Sequence, residues 1–179
     1  MLGSLKKSIL GLGLAAFAAF AAGTVPDAAL EAKAVHEIRM YSRYSIFDNI
    51  NVRVSNGDIQ LVGQVSEPFK KQDLRRIMQR IPGVTSVTND LEVLPLSPSD
   101  NQLRLQVARA IYTDSVLSRY SLQPVGPIHI IVANGRVTLE GVVHTEMERN
   151  VAGIRANGAG LSFGKVTNHL RVEVPSRRS

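Results

Sequence analysis

Few residues in this sequence could carry out chemistry. None of the 179 residues is a cysteine, which excludes disulfides, thiolate metal ligands and a cysteine nucleophile. Asp114 and Ser115 offer the acid and the hydroxyl of a catalytic triad, but no motif ties a histidine to them. No histidine has a partner at the spacing of metal ligands; the four are His36, His129, His144 and His169. We therefore predict that the protein is not an enzyme and needs no cofactor and no metal ion.

The densest polar cluster is His144-x-Glu146-x-Glu148. Thr145 stands three residues before Glu148, which is the spacing of a helix capping box. We interpret the cluster as the start of a helix with a solvated face rather than as a metal site. His129 and His169 alternate with apolar positions, which predicts that both lie on the outer face of a sheet.

The composition is that of an ordinary globular protein, with 44% hydrophobic and 20% charged residues. The net charge is +6, and basic residues are not interleaved with aromatic ones as in nucleic-acid binders. We expect no nucleic-acid partner. A basic surface suits anionic lipid headgroups or simple solubility equally well.

The first 22 residues resemble an export signal. Lys6 and Lys7 precede an uncharged, alanine-rich run from Ile9 to Ala22, which ends in small residues suited to cleavage. The run is shorter than the ~20 apolar residues of a spanning helix. We predict a signal peptide over residues 1–22 that is cleaved near Ala22, with an uncleaved anchor as the alternative. Without a cysteine there is no site for lipoprotein acylation, so we expect a periplasmic protein that is not a lipoprotein.

The rest of the chain repeats one pattern. Residues 52–65 read VRVSNGDIQLVGQV and residues 130–143 read IIVANGRVTLEGVV, which is 78 residues further on. A second pair, SVTNDLEV at 86–93 and KVTNHLRV at 165–172, is 79 residues apart. Such self-similarity indicates two copies of one structural unit.

A proline-rich stretch at residues 94–100, LPLSPSD, interrupts the periodicity between the copies. We therefore divide the chain after the signal into a first domain at residues 28–94 and a second at 100–174. The linker is 95–99, and a basic tail follows at 175–179.

Within each domain the periodicity predicts the order helix, strand, strand, helix, strand. Leu30, Ala34, Ile38 and Tyr41 share one face of a helix that starts at about Asp27. Asn-Gly then marks a type I′ turn between two alternating strands. The prediction is an α+β fold with two tandem αββαβ domains, each a three-stranded mixed sheet covered by two helices.

Particular positions carry further expectations. Gly63 and Gly141, inside strands, indicate a bulge or a close approach of a helix. We predict one last strand through Val166, Leu170 and Val172. In the second helix of the first domain an apolar side is opposed by a mostly basic one, formed by Lys70, Lys71, Arg75, Arg76 and Arg80.

The motif N-G-x-[IV]-x-L-x-G-x-V, then a helix, then V-x-N-x-L-x-V, resembles the BON domain, which is named for the osmotically inducible periplasmic protein Y and nodulation proteins. Both copies fit. The second copy departs from the pattern at residues 160–164, where the first has Pro82-Gly83-Val84. The family's dual-BON proteins are linked to envelope integrity, osmotic stress and phospholipid binding.

The resemblance implies a non-enzymatic periplasmic envelope-maintenance and stress protein that binds anionic phospholipid surfaces. The alternative is a protein–protein interaction or structural module that docks an envelope complex.

The first helix of the second domain has two apolar stripes. The stripe of Leu103, Val107, Ala110 and Ile111 should face its sheet, whereas a second stripe lies almost opposite. One interpretation is that the second stripe packs on the first domain. The other, favoured by the resemblance, is that it contacts lipid. The predicted lipid-binding residues are Arg104, Leu105, Ala108, Arg109, Tyr112 and Val116.

Export can be tested directly. We expect the mature protein to start near Ala22 or Gly23, because the small residues there suit signal peptidase. N-terminal sequencing of protein from a periplasmic extract measures this. Recovery of protein with an intact Met1 from the cytoplasm would contradict it.

Overall fold

The computed structural model describes residues 25–159 and 166–173. The predicted signal at 1–22, the departure at 160–164 and the basic tail at 175–179 lie outside these residues. None of the described helices is long and apolar enough to span a membrane.

Each half of the chain follows the predicted order of elements. The first contains α1 (Asp27–Met40), β1 (Asn49–Ser55), β2 (Asp58–Val65), α2 (Pro68–Gln79) and β3 (Ser86–Val93). The second contains α3 (Pro98–Tyr112), a 3-10 helix (Ser118–Leu122), β4 (Ile128–Ala133), β5 (Arg136–Val143), α4 (Glu146–Gly158), β6 (Thr167–Asn168) and β7 (Arg171–Val172).

Both sheets are mixed. β2 pairs antiparallel with β1 and parallel with β3, and β5 pairs antiparallel with β4 and parallel with β6 and β7. The predicted α+β fold of two tandem αββαβ domains is confirmed. The single last strand predicted for the second domain is instead two short strands, which both pair with β5.

Each sheet has its own apolar core. Leu61 in β2 and Leu139 in β5 are both 0% exposed, and they belong to separate clusters of buried residues. The predicted stripe of Leu30, Ala34 and Ile38 on α1 is buried in the first cluster. The helices thus cover one face of each sheet, as two amphipathic elements must in order to bury their apolar sides.

The Asn-Gly turns have the predicted geometry. φ is +52° at Asn56 and +80° at Gly57, so a two-residue turn joins β1 to β2. The carboxylate of Asp27, in the first turn of α1, accepts hydrogen bonds from the backbone N–H groups of Asn56 and Gly57 at 2.7 and 2.9 Å. The helix is therefore tied to the tip of the hairpin.

The second domain repeats this contact. φ is +53° at Asn134 and +74° at Gly135. Both backbone N–H groups donate to the carboxylate of Asp100 at 2.8 Å. Asp100 lies in the first turn of α3 and is 2% exposed.

The asparagine of the V-x-N-x-L-x-V motif ties the last strand to the preceding helix. The Asn89 side-chain amide donates to the Lys71 carbonyl at 2.7 Å, and that of Asn168 donates to the Arg149 carbonyl at 2.8 Å. Because both pairs occupy equivalent positions, the motif asparagine is a scaffold residue.

The strand glycines correct one expectation. Gly63 pairs with Ile50 in an unbroken register, so β2 has no bulge there. φ is +124° at Gly63 and +117° at Gly141, where a Cβ atom would lie 2.0 Å from the carbonyl oxygen of Asn49 and Pro127, respectively. The atom that excludes a side chain is therefore a carbonyl oxygen of the neighbouring strand, or of the residue just before it, and not part of a helix.

Lys70 was wrongly predicted to lie on the basic side of α2. It is 3% exposed, and its Nζ lies 2.7 Å from the carboxylate of Asp48, which is 0% exposed. The Asp48 carboxylate also accepts hydrogen bonds from the backbone N–H and hydroxyl groups of Ser45 and Ser66, at 2.8–2.9 Å. These donors offset the cost of burying the charge.

Residues 44–48, here called the junction loop, connect the two domains. The Ile130 backbone N–H donates to the Ile46 carbonyl at 2.7 Å, on the edge of β4 that β5 leaves free. Ile46 and Phe47 pack against the second apolar core. The Asp48 network holds the loop in the shape that makes these contacts.

The junction loop also covers one of the two histidines expected on the outer sheet face. His169 is exposed, whereas His129 is half-buried, with its Nε2 3.3 Å from the Tyr44 hydroxyl. Burial lowers the pKa of His129, and the nearby backbone and charge of Asp48 only partly oppose this. His129 is therefore favoured in its neutral form at the junction.

The two kinds of glycine should respond oppositely to alanine. Gly141→Ala adds a Cβ against the Pro127 carbonyl at a positive φ, and we expect it to lower the free energy of unfolding by about 3 kcal/mol or more. Gly158 is the last residue of α4, and a Cβ added there would meet no neighbouring atom within 4 Å. Gly158→Ala should therefore raise the free energy of unfolding by up to about 1 kcal/mol. Urea denaturation followed by circular dichroism measures both. Similar effects from the two variants would contradict the structure.

The junction should weaken in acid. Because burial lowers the pKa of His129 in the folded protein, the unfolded state takes up this proton first, and the contribution of His129 to the free energy of unfolding decreases as pH falls below about 6.5. His129→Gln should flatten this part of the profile, whereas His36→Gln, at an exposed position of α1, should not. Urea denaturation from pH 8 to pH 5 measures the profiles. Parallel profiles for wild type and His129→Gln would be evidence against the prediction.

Candidate functional site

A groove of about 430 Å³ lies between the two domains. Its walls come from the first domain, the linker and α3. They are formed by Phe47, Ser66, Glu67, Pro68, Leu96, Asn101, Arg104 and Leu105. The groove is thus a product of the docked domains rather than of either one alone.

The linker is held at both ends of the groove. The backbone N–H of Leu94 donates to the Val65 carbonyl at 2.9 Å, which extends the pairing beyond β3. On the other side Ser97 caps α3, with its hydroxyl accepting from the Asp100 N–H at 3.3 Å. Leu96 lies between these two anchors and is nevertheless 67% exposed.

Leu105 lies on the α3 wall of the groove. It is 60% exposed, although α3 buries Leu103 and Val107 on its other side. Arg109, one turn further along α3, is also exposed. The groove is therefore bordered by two solvent-exposed leucines, with a basic side chain near the second.

Arg104 does not have the predicted role. It is 3% exposed, and its guanidinium donates to the Val132 carbonyl at 2.7 Å and to the Asn101 side chain. Burial lowers the pKa of Arg104, and the charges of Asp100 and Asp48 oppose the shift. Arg104 follows Asp100 by one turn on the face toward the Asn-Gly turn, so its charge serves the fold and is not presented to solvent.

Tyr112 also makes its hydrogen bond within its own domain. The hydroxyl donates to the Ile128 carbonyl at 2.7 Å, and burial raises the pKa of the phenol. Ala108 and Val116 are half-buried and pack against the same core. The predicted second stripe is therefore not one surface, and of the six predicted lipid-binding residues only Leu105 and Arg109 are exposed rather than half-buried or buried.

The cluster at the start of α4 is structural. The predicted capping box of Thr145 and Glu148 is confirmed. Glu148 is 4% exposed and accepts from the Tyr120 hydroxyl and the His144 N–H, both at 3.0 Å. Although burial raises its pKa, the hydrogen bonds from Tyr120 and Thr145 hold the pKa of Glu148 below its ordinary value.

The Asp114 carboxylate is likewise bound by groups of its own domain. Its carboxylate accepts from the Val116 N–H at 2.8 Å and from Arg155 at 2.6 Å. Over the ranges 25–159 and 166–173, no three histidine or acidic side chains come together as metal ligands.

Phe47 and Leu96 line the groove but were not among the residues predicted from the sequence. Leu96 carried a usable signal, because a large apolar residue in a stretch of prolines and serines is unusual for a solvated linker. Phe47 carried none, since the loop before β1 has no periodicity to interpret.

Comparison with solved structures finds a distant likeness to a structural protein of the type III secretion system of Chlamydia trachomatis, CdsD. Its C-terminal domain is 15% identical with a TM-score of 0.32, covering 78% of this chain and 64% of that one. A second CdsD structure is also 15% identical with a TM-score of 0.32, covering 79% and 61%. The chain thus spans less than two thirds of either structure. Comparison with curated proteins finds no match.

A family model gives the decisive likeness. The model described as the BON domain matches twice, over residues 26–95 and 99–174. These ranges contain both αββαβ units, both Asn-Gly turns and both V-x-N-x-L-x-V motifs. The chain therefore belongs to the BON-domain family, as a tandem of two such domains.

Proposed function

We propose that this protein is a non-enzymatic, periplasmic envelope-maintenance and stress protein that binds anionic phospholipid surfaces through α3. BON-domain proteins are generally non-enzymatic, and two copies of this domain occupy most of the chain. The signal-like residues 1–22 support export, and the absence of cysteine supports a soluble rather than an acylated form.

The observation that carries the proposal is the exposure of Leu105. A leucine that is 60% exposed, with Arg109 one turn away, combines an apolar side chain that can enter the headgroup layer with a cation for the phosphates. The net charge of +6 becomes about +4 (6 − 2) when the signal with Lys6 and Lys7 is removed, and this positive charge favours anionic over neutral membranes.

The strength of such binding is limited. Transfer of one leucine side chain out of water contributes about 1.5–3 kcal/mol, and one basic residue near an anionic surface contributes about 1 kcal/mol. The association is therefore peripheral and reversible, and additional contacts would strengthen it.

A second candidate is the docking of an envelope protein in the same groove. The apolar side chains of Phe47 and Leu96 favour it, because they offer walls that a helix or loop could fill. Binding to protein-free vesicles separates the two candidates.

Leu105→Asp should weaken binding to anionic vesicles about tenfold to a hundredfold, since it removes apolar transfer and adds a negative charge. The matched control is Ile154→Asp on α4, where the side chain is 68% exposed and lines a different groove. Co-sedimentation with vesicles of phosphatidylglycerol and phosphatidylcholine measures the affinity, with phosphatidylcholine alone as the neutral arm. Circular dichroism checks that both variants are folded.

Equal loss in both variants would mean that added negative charge, not the α3 surface, decides binding. Unchanged binding by folded Leu105→Asp would refute α3 as the contact. No binding of the wild-type protein to either vesicle would leave the protein-docking candidate as the better one.

A further inference from the structure

We propose that Leu96 of the linker enters the bilayer together with Leu105, so that the lipid-binding surface spans the domain junction. This rests on the proposed function and extends it from one helix to both walls of the groove. Neither periodicity nor the family motif includes Leu96, which stands outside every helix and strand.

Leu96 and Leu105 line the same groove and are 67% and 60% exposed. Single exposed apolar side chains are common on soluble proteins, but two large ones at one concave site form a patch. Phe47, which is half-buried, also lines this groove.

The main chain on either side of Leu96 and around Leu105 is held in place. Leu96 is fixed on one side by the hydrogen bond from Leu94 to Val65 and on the other by the Ser97 cap of α3. Leu105 is fixed by the buried stripe of α3. A preorganised pair loses less conformational entropy on insertion than two side chains on a free linker.

The charge near these leucines favours an anionic membrane as the partner. Arg109 is exposed one turn from Leu105, and the chain after residue 22 keeps a net charge of about +4 (6 − 2). Apolar side chains beside cations match a membrane surface, in which acyl chains lie beneath anionic phosphates. Glu67 is the acidic residue on the wall of this groove, and it should oppose binding.

Glu67 therefore offers an independent variant. It is exposed and precedes α2 without forming a side-chain cap, so Glu67→Gln should leave the fold intact. We expect Glu67→Gln to strengthen binding to anionic vesicles about threefold to fivefold, because it removes one negative charge that the anionic surface repels. Binding to neutral vesicles should not change.

The chain contains no tryptophan, so a single introduced one reports its own surroundings. Leu96→Trp and Leu105→Trp should both shift their emission to the blue when the full mature protein meets vesicles of phosphatidylglycerol and phosphatidylcholine. Leu122→Trp is the matched control, since Leu122 is 86% exposed but lies away from the groove lining. Its emission should not shift.

Neutral substitutions test the contribution to affinity. Leu96→Ser and Leu105→Ser should each weaken co-sedimentation about tenfold, whereas Leu122→Ser should not change it. Serine removes the apolar side chain without adding charge, and circular dichroism confirms folding.

The outcomes separate the two claims. A shift and a loss of affinity at residue 105 but not at 96 would overturn the composite surface and leave the proposed function standing. No change at either position would overturn both. An equal blue shift of the emission of Leu122→Trp would show that the protein contacts vesicles without a preferred surface, and this would also overturn the inference.

Discussion

In both domains, one carboxylate ties the first helix to the tip of the hairpin that follows it. Asp27 and Asp100 each accept two backbone N–H groups from an Asn-Gly turn. Those N–H groups belong to residues with positive φ, and they have no partner within the strand ladder. Because hydrogen bonds to an ionised acceptor are stronger than neutral ones, this contact sets how each helix lies on its sheet.

The motif asparagine completes the arrangement from the other end. Asn89 and Asn168 bind the carbonyl of the second helix in their domain, so the hairpin and the last strand are each tied to a helix. Apolar burial supplies most of the driving force but has no direction. The polar contacts supply the register in which the helices cover the sheet.

The two domains differ where they meet. Lys70 and Glu148 occupy equivalent positions, yet Lys70 pairs with Asp48 whereas Glu148 binds Tyr120 and Arg119. The first network shapes a loop that contacts the edge of β4; the second stays within its own domain. The junction loop thus belongs to the contact between the domains, and its Phe47 lines the groove that Leu96 and Leu105 border.

The sequence by itself determined the fold. The fold follows from patterns that can be read within one element at a time: helical stripes, strand alternation and Asn-Gly turns. Because both copies of the repeat contain these patterns, both form the same elements. The exposure of Leu105 could also be anticipated, because it lies opposite the buried stripe of α3. What the sequence predicted wrongly depended on partners far along the chain.

Only the tertiary structure decided which charged side chains are buried and which position requires glycine. Lys70 is buried because Asp48, from a loop without periodicity, lies beside it. Arg104 is buried because the Val132 carbonyl accepts its hydrogen bond, and Gly63 is required because a strand carbonyl approaches it. Leu96 joins the candidate site only because two docked domains hold the linker between them. Periodicity reports which side of one element is apolar, whereas these roles follow from which elements meet.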